Sequence, residues 1–257
     1  MLDFHSLLQE LKGQHEVVKA QLNDNFDFAL NDYAYLIESG SILVTGEKTS
    51  KSGLFPTHTL EKHDPVGFAE AILARPVGLQ YRQKSALILC KFRSADLRDL
   101  VARANIFSKT IIIYSIGRIL GQSRDSSTLA FEEEFIEKNY KLLRRRVVSK
   151  NEEIIKLGAA ATEMFFIEKG SVQILSTQKK PIATLSGGAC FGESALFDNR
   201  PHNRRVVATS DTNLLVIDQE QVEIEINQEP PLLRLIVLLL IKRLDVMNTL
   251  RVQSQSY

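Results

Sequence analysis

The chain has 257 residues, enough for two domains of ~125 residues, each large enough to bury a core of its own. Hydrophobic residues make up 44% and charged residues 25%, and 32 basic against 31 acidic residues leave a net charge of +1. That balance is globular and excludes a global electrostatic pull toward nucleic acid. Cys90 and Cys190 are too few for a disulfide framework and favour a reducing compartment. Residues 1–5 offer no basic region ahead of a long apolar run, so no signal peptide is expected. The longest apolar run, residues 235–241, falls far short of the ~20 residues that span a bilayer. The expected location is cytoplasmic, with no membrane span.

In chain order, residues 3–12 read as a helix with Phe4, Leu7, Leu8 and Leu11 on one side and Gly13 as a stop, expected to dock on the first domain. Tyr33-Ala-Tyr-Leu-Ile-Glu-Ser-Gly-Ser-Ile-Leu-Val44 reads as an apolar strand, a turn at Gly40 and an alternating second strand. Glycine suits a turn that needs positive φ. His58, His63 and Asp64 follow in a polar loop whose spacing fits no standard zinc pattern, so a solvated loop is expected. Phe68-Ala-Glu-Ala-Ile-Leu73 is followed by Pro76, a strand over 86–90 and a helical stretch over 95–120 that contains Arg118.

The same order then returns. Glu163-Met-Phe-Phe-Ile-Glu-Lys-Gly-Ser-Val-Gln-Ile-Leu175 repeats the two strands with Gly170 at the turn, and Phe191-Gly-Glu-Ser-Ala-Leu196 is followed by Pro201. A strand over 213–217 and a helical stretch over 219–251 come next, with Arg243 in the place of Arg118. A repeat of this length means two similar domains, since solenoid repeats are far shorter. The expected boundaries are 1–122, a helical connector over 123–146, and 147–257.

In the connector, Ser126 or Ser127 caps a helix with Glu132, Glu133 and Glu134 early and Arg144, Arg145 and Arg146 in its last turn, as the helix dipole favours. Phe135, Ile136, Tyr140, Leu142 and Leu143 supply its apolar side. The final helix is expected to start at Pro230-Pro231. Leu232, Leu233, Ile236, Leu239, Leu240, Leu244 and Met247 make it too apolar for one narrow stripe, so it is covered by its own domain or used for homodimerisation.

The string from Phe191 to Ala208 carries the chemistry. A glycine before a short helical turn aims successive backbone N–H groups at one point, which suits an anion. A neighbouring carboxylate accepts a sugar hydroxyl, and arginines a few residues on clamp a phosphate. With Glu153-Ile-Ile and Phe165-Phe-Ile-Glu-Lys-Gly-Ser-Val ahead of it, the stretch resembles the cyclic nucleotide-binding domain family. The resemblance covers residues 145–251 well and 15–120 more weakly. It implies a mainly β fold with helices: two cyclic nucleotide-binding-type β-rolls, each flanked by helices and eight-stranded in the family. The implied ligand site is Phe191, Gly192, Glu193, Ser194, Ala195, His202 and Arg204. By resemblance Glu193 holds the ribose 2′-hydroxyl, and the N–H groups near Ser194 and Ala195 meet the phosphate.

The departures matter as much. His202 stands where the family carries its phosphate arginine, and a neutral imidazole cannot make the guanidinium fork. If a strand follows the proline, alternation puts His202 and Arg204 on one face and Arg205 on the other, which favours Arg204 as the substitute. In the first domain Ala69 is read in the place of the cassette glycine and Val77 in that of the arginine, with Glu70 retained, so that site is expected to be empty and structural. Catalytic motifs are missing: no G-x-S-x-G, P-loop or H-E-x-x-H occurs, and no enzyme is expected. No cofactor is expected beyond cAMP or cGMP as ligand. After the last helix no room remains for a DNA-binding domain, so direct DNA binding is not expected. Two functions remain open: a regulator that binds cAMP or cGMP in its second domain and signals to a protein partner, or a ligand-independent assembly module whose sites have degenerated.

Overall fold

The computed structural model describes residues 4–11, 13, 15–22, 28, 32–46, 55–75, 79–120, 135–139, 143–197 and 199–255. Each half folds into a roll of short antiparallel strands. The first comprises β1 (Glu16–Ala20), β2 (Tyr33–Ser39), β3 (Ile42–Thr45), β4 (Thr57–Leu60), β5 (Pro65–Val66), β6 (Gln80–Gln83) and β7 (Leu87–Arg93), in sheets ordered β1-β7-β2-β5 and β4-β3-β6. The second comprises β8 (Arg144–Val148), β9 (Glu153–Ile155), β10 (Glu163–Lys169), β11 (Ser171–Leu175), β12 (Pro181–Ser186), β13 (Cys190–Phe191), β14 (Arg205–Ala208) and β15 (Thr212–Asp218), in sheets ordered β8-β15-β10-β13 and β12-β11-β14-β9. The orders β1-β7-β2-β5 and β8-β15-β10-β13 are the same topology twice.

Local pattern explains the strands. Residues 164–167 of β10 are all buried, so the strand reads as a continuous apolar run, whereas β11 alternates, with Val172 and Ile174 inward. Between each such pair the chain reverses at Gly40 or Gly170, with φ of 95° and 99°. The second core gathers Ile155, Phe165, Val172, Phe191, Val206 and Val216 among others. The first gathers Tyr35, Ile37, Val44, Leu60 and Leu87 with Val246 and Leu250 of the last helix.

The helices are α1 (Phe4–Glu10), α2 (Phe68–Leu73), α3 (Ser94–Arg103), α4 (Ile106–Ile119), the single turn α5 (Glu137–Asn139), α6 (Glu193–Phe197), α7 (Gln219–Asn227) and α8 (Pro231–Gln255). Both long helical stretches are broken, at equivalent places, the second where the final helix was expected to start. The first breaks at Asn105, whose side chain accepts from the Ser108 N–H at 2.8 Å and restarts the chain as α4. The second breaks before Pro231, a residue whose missing N–H suits a first turn.

Contacts divide the chain into two compact units that are not its two halves. One holds Phe4–Arg103 with Pro231–Tyr257, the other Ala104–Pro230. Each post-roll helix was expected to stay with its own roll, but α8 completes the first core and α4 belongs with the second roll. Within the first unit α1 packs on α8, with Leu7 and Leu11 buried and Glu10 paired to Arg234 at 3.1 Å. Leu233, Ile236, Leu239, Leu240 and Leu244 are all buried in the single chain. These residues are thus covered within the chain, while Leu232 and Met247 are half-buried.

The basic triplet is a second correction. Arg144, Arg145 and Arg146 lie on β8, not in the last turn of a helix, and pair across the sheet edge with Glu163, Glu168 and Glu152 at 2.8, 3.3 and 3.3 Å. A charged edge strand discourages pairing with other chains, and ladder bonds to β15 outweigh the helical reading. Ser126, Ser127, Glu132, Glu133, Glu134, Tyr140 and Leu142 of the predicted connector lie outside the described residues. No helix among the described residues is long and apolar enough to cross a membrane.

Candidate ligand site in the second roll

The cassette is the turn from β13 into α6. Phe191 is fully buried and stacks on Phe165 with centroids 5.0 Å apart, which fixes the end of β13. Gly192 follows with φ of 90°. A Cβ there would lie 3.3 Å from both the Glu163 carbonyl oxygen and the Met164 Cα, so glycine is needed for conformation and for space. The turn delivers Glu193 to the first position of α6, where its carboxylate is buried.

The two oxygens of Glu193 differ. Oε1 accepts from the Ser194 hydroxyl at 3.0 Å and forms an ion pair with Nη1 of Arg118 on α4. Oε2 is buried and accepts from no group among the described residues. One turn earlier on α4, the Tyr114 hydroxyl donates to the Gly188 carbonyl. Beyond α6, the Arg200 N–H donates to Ala195 O at 3.1 Å. His202 is stitched to the 158–159 turn through its own backbone, donating to Ala159 O and accepting from Gly158 N. Burial pushes the His202 imidazole below its ordinary value of 6.5, Glu193 and Glu163 pull it up, and Arg200 pushes it down. It is therefore neutral near pH 7.

The predicted residues Phe191, Gly192, Glu193, Ser194 and Ala195 thus form one continuous structural feature, and His202 lies within electrostatic reach of Glu193. Arg204 is placed differently from the expectation. Strand β14 begins only at Arg205, so the alternation argument does not extend to residues 202–204. Arg204 donates to Asn203 O at 2.8 Å, and Arg205 is held by Glu153 at 2.6 Å. Arg118 and Tyr114 were missed as site residues, although the equivalence of Arg118 and Arg243 was the available signal.

The first cassette corrects the sequence alignment. Register pairs Val66 with Tyr35 as Phe191 pairs with Phe165, and Gly67 follows with φ of 77°. Gly67 also stands nine residues before Pro76, as Gly192 stands nine before Pro201. The cassette glycine is therefore Gly67, present and left-handed, and Ala69 does not replace it. What is lost is the carboxylate at the next position, where Phe68 is buried against Phe92. Glu70 sits two residues further along α2 and accepts from the Tyr81 hydroxyl at 3.0 Å. Arg243 of α8 approaches Glu70 to 3.6 Å and donates to Tyr81, while Glu70 Oε2, like Glu193 Oε2, is buried without a donor among the described residues. Burial pushes the Tyr81 phenol upward, which keeps it protonated as a donor. Val77 lies outside the described residues.

Elsewhere, a groove of about 250 Å³ at the β8 edge is lined by Arg145, Arg146, Val147, Glu168, Asn213 and Leu214 and includes no cassette residue. His58 lies on β4 and His63 has φ of 70°, and no group of three potential metal ligands occurs among the described residues.

A family profile for the cyclic nucleotide-binding domain matches residues 145–229, which contain β13, Gly192 and α6. The similarity to that domain spans a third of the chain, and the matched segment excludes Tyr114, Arg118 and the first roll. Within the curated proteins, the cAMP-dependent protein kinase regulatory subunit of Eremothecium gossypii is 36% identical over 77 residues, 30% of this chain and 17% of that protein. A cAMP-bound EAL enzyme of known structure is 32% identical over 39% of this chain and 28% of its own, with a TM-score of 0.37. The regulatory domain of Toxoplasma gondii PKA with cAMP is 15% identical over 88% of this chain and 86% of its own, with a TM-score of 0.34. The chain spans well under a fifth of the regulatory subunit and under a third of the EAL enzyme.

Proposed function

We propose that the chain is a non-catalytic regulatory protein that binds cAMP or cGMP in its second roll and passes occupancy on to a protein partner. The observation that carries this reading is the Oε2 atom of Glu193. A buried carboxylate oxygen without a donor is costly, and a ribose 2′-hydroxyl supplies that donor. Support also comes from the left-handed Gly192, which frees the N–H groups at the start of α6 for a phosphate. In place of the family's arginine after the proline, Arg204 is our candidate for the phosphate's cation, with neutral His202 beside it. The first roll, closed by Phe68, Glu70, Tyr81 and Arg243, takes the structural role.

The alternative, a ligand-independent assembly module, is favoured by one observation: His202 in the arginine's place. Equilibrium dialysis with radiolabelled cAMP and cGMP decides between them. The regulator reading predicts saturable binding by the wild type and at least ~10-fold weaker binding by a folded Glu193→Gln variant, since a hydrogen bond to a charged acceptor contributes about 1.5–3 kcal/mol. Absence of binding to the wild type, or equal binding by the variant, rejects it.

A further inference from the structure

Helix α4 follows the first roll in the chain, yet it reaches the cassette of the second. We infer that α4 is a working part of the second roll's ligand site, with Arg118 as a positioning residue that holds one oxygen of Glu193 and leaves the other for a ligand's sugar hydroxyl. The inference rests on reading the second roll as a cyclic nucleotide site and concerns how that site is regulated.

The division between the two oxygens is the first support. Arg118 and Ser194 both bind Oε1, while Oε2 is buried without a donor among the described residues. The Glu193 side chain is 5% exposed and that of Arg118 is 13% exposed. In such a place a carboxylate is tolerated only beside a cation, because burial penalises an unpaired charge. Arg118 supplies that cation and, with Ser194, holds Oε1 in place.

The second support is that α4 is anchored at its other end as well. The Asn105 N–H donates to Glu229 Oε1 at 2.7 Å, and its side-chain amide donates to Glu225 O at 2.8 Å. Asn105 and Glu229 stand at the two equivalent helix breaks, so one break is tied to the other. The Tyr114 hydroxyl on Gly188 O adds a tether in the middle. The position of Arg118 is thus fixed within its unit by Asn105 at the start of α4 and by residues 225–229 at the end of α7.

The test is calorimetric titration of the full chain with cAMP and with 2′-deoxy-cAMP, comparing wild type, Arg118→Met, Arg118→Lys and Asn105→Ala, each checked for folding by circular dichroism. The wild type is expected to prefer cAMP at least ~10-fold, the value of one charge-assisted hydrogen bond. Arg118→Met is expected to bring that ratio close to one, with Arg118→Lys restoring most of it and Asn105→Ala giving an intermediate value. A purely structural role for Arg118 would weaken both ligands together and leave the ratio alone. Should Arg118→Met fail to fold, the ratio in Arg118→Lys and Asn105→Ala decides: a shift supports the role and the wild-type ratio overturns it. A wild type that binds neither nucleotide overturns the reading of the second roll itself; a wild type that binds, with its ratio unchanged in the variants, overturns only the role of α4.

Discussion

Glu193 and Arg118 are two charges largely withdrawn from water, and each is tolerable only because of the other. Glu193→Gln leaves the guanidinium without its counter-charge, and the expected loss is about 3 kcal/mol, readable in urea unfolding. A loss below ~1 kcal/mol would mean that the pair is solvated. Gly192→Ala imposes a left-handed alanine and crowds Glu163 O, with an expected cost of about 2 kcal/mol and loss of ligand binding. His202 gives a pH signature. Its folded value lies below 6.5, so above that pH both states are neutral and the fold bears no penalty. As pH falls through 6.5 the unfolded chain takes up the proton first, and stability declines. His63 is shifted the same way, also chiefly by burial, and contributes its own share. Melting at pH 7.5 and 5.5 should therefore show a smaller acid-induced drop in His202→Asn than in the wild type; equal drops would contradict the assignment. Glu193 was legible because it stands in the string Phe-Gly-Glu. Arg118 was not, because an ion pair across 75 residues has no local pattern.

Strand and helix identity followed the periodicity closely, and the failures have physical causes. Arg144–Val148 became a strand because its residues ladder onto β15, a tertiary gain that a local charge pattern does not reveal. The three arginine–glutamate pairs along it are exposed enough that each is worth under about 1 kcal/mol, to be measured by a double-mutant cycle on Arg145 and Glu168. In the first cassette, the Phe-x-Glu of residues 68–70 matches the motif by eye, whereas the glycine that makes the turn stands one residue before it. Spacing to the following proline and the sign of φ decide the alignment, and only the first of these is visible in the sequence. Gly170 shows how firmly a turn is set: an added Cβ would lie 2.5 Å from Asp211 O. Gly170→Ala is expected to destabilise by more than about 3 kcal/mol, and a stable variant with unchanged melting would refute that packing.

The duplication is plain in the sequence, but the way the chain uses it is not. Each roll gathers the long helix that follows the other, α4 with the second and α8 with the first, and each helix sets an arginine on a cassette carboxylate. Nothing local distinguishes this exchange from the simpler arrangement, since both helices carry apolar residues and an arginine at equivalent positions. The two sites differ in the residue after the turn glycine, Phe68 in the first and Glu193 in the second. Arg243 pairs with Glu70 in the first and Arg118 with Glu193 in the second, and one oxygen of each carboxylate is buried without a donor among the described residues. The central claim is one ligand site per chain, at Glu193. Calorimetric titration of the full chain with cAMP and with cGMP tests it most directly. A stoichiometry near one is expected for at least one of them, abolished or strongly weakened in Glu193→Gln. A stoichiometry near two, or no binding to a folded and ligand-free sample, would contradict it.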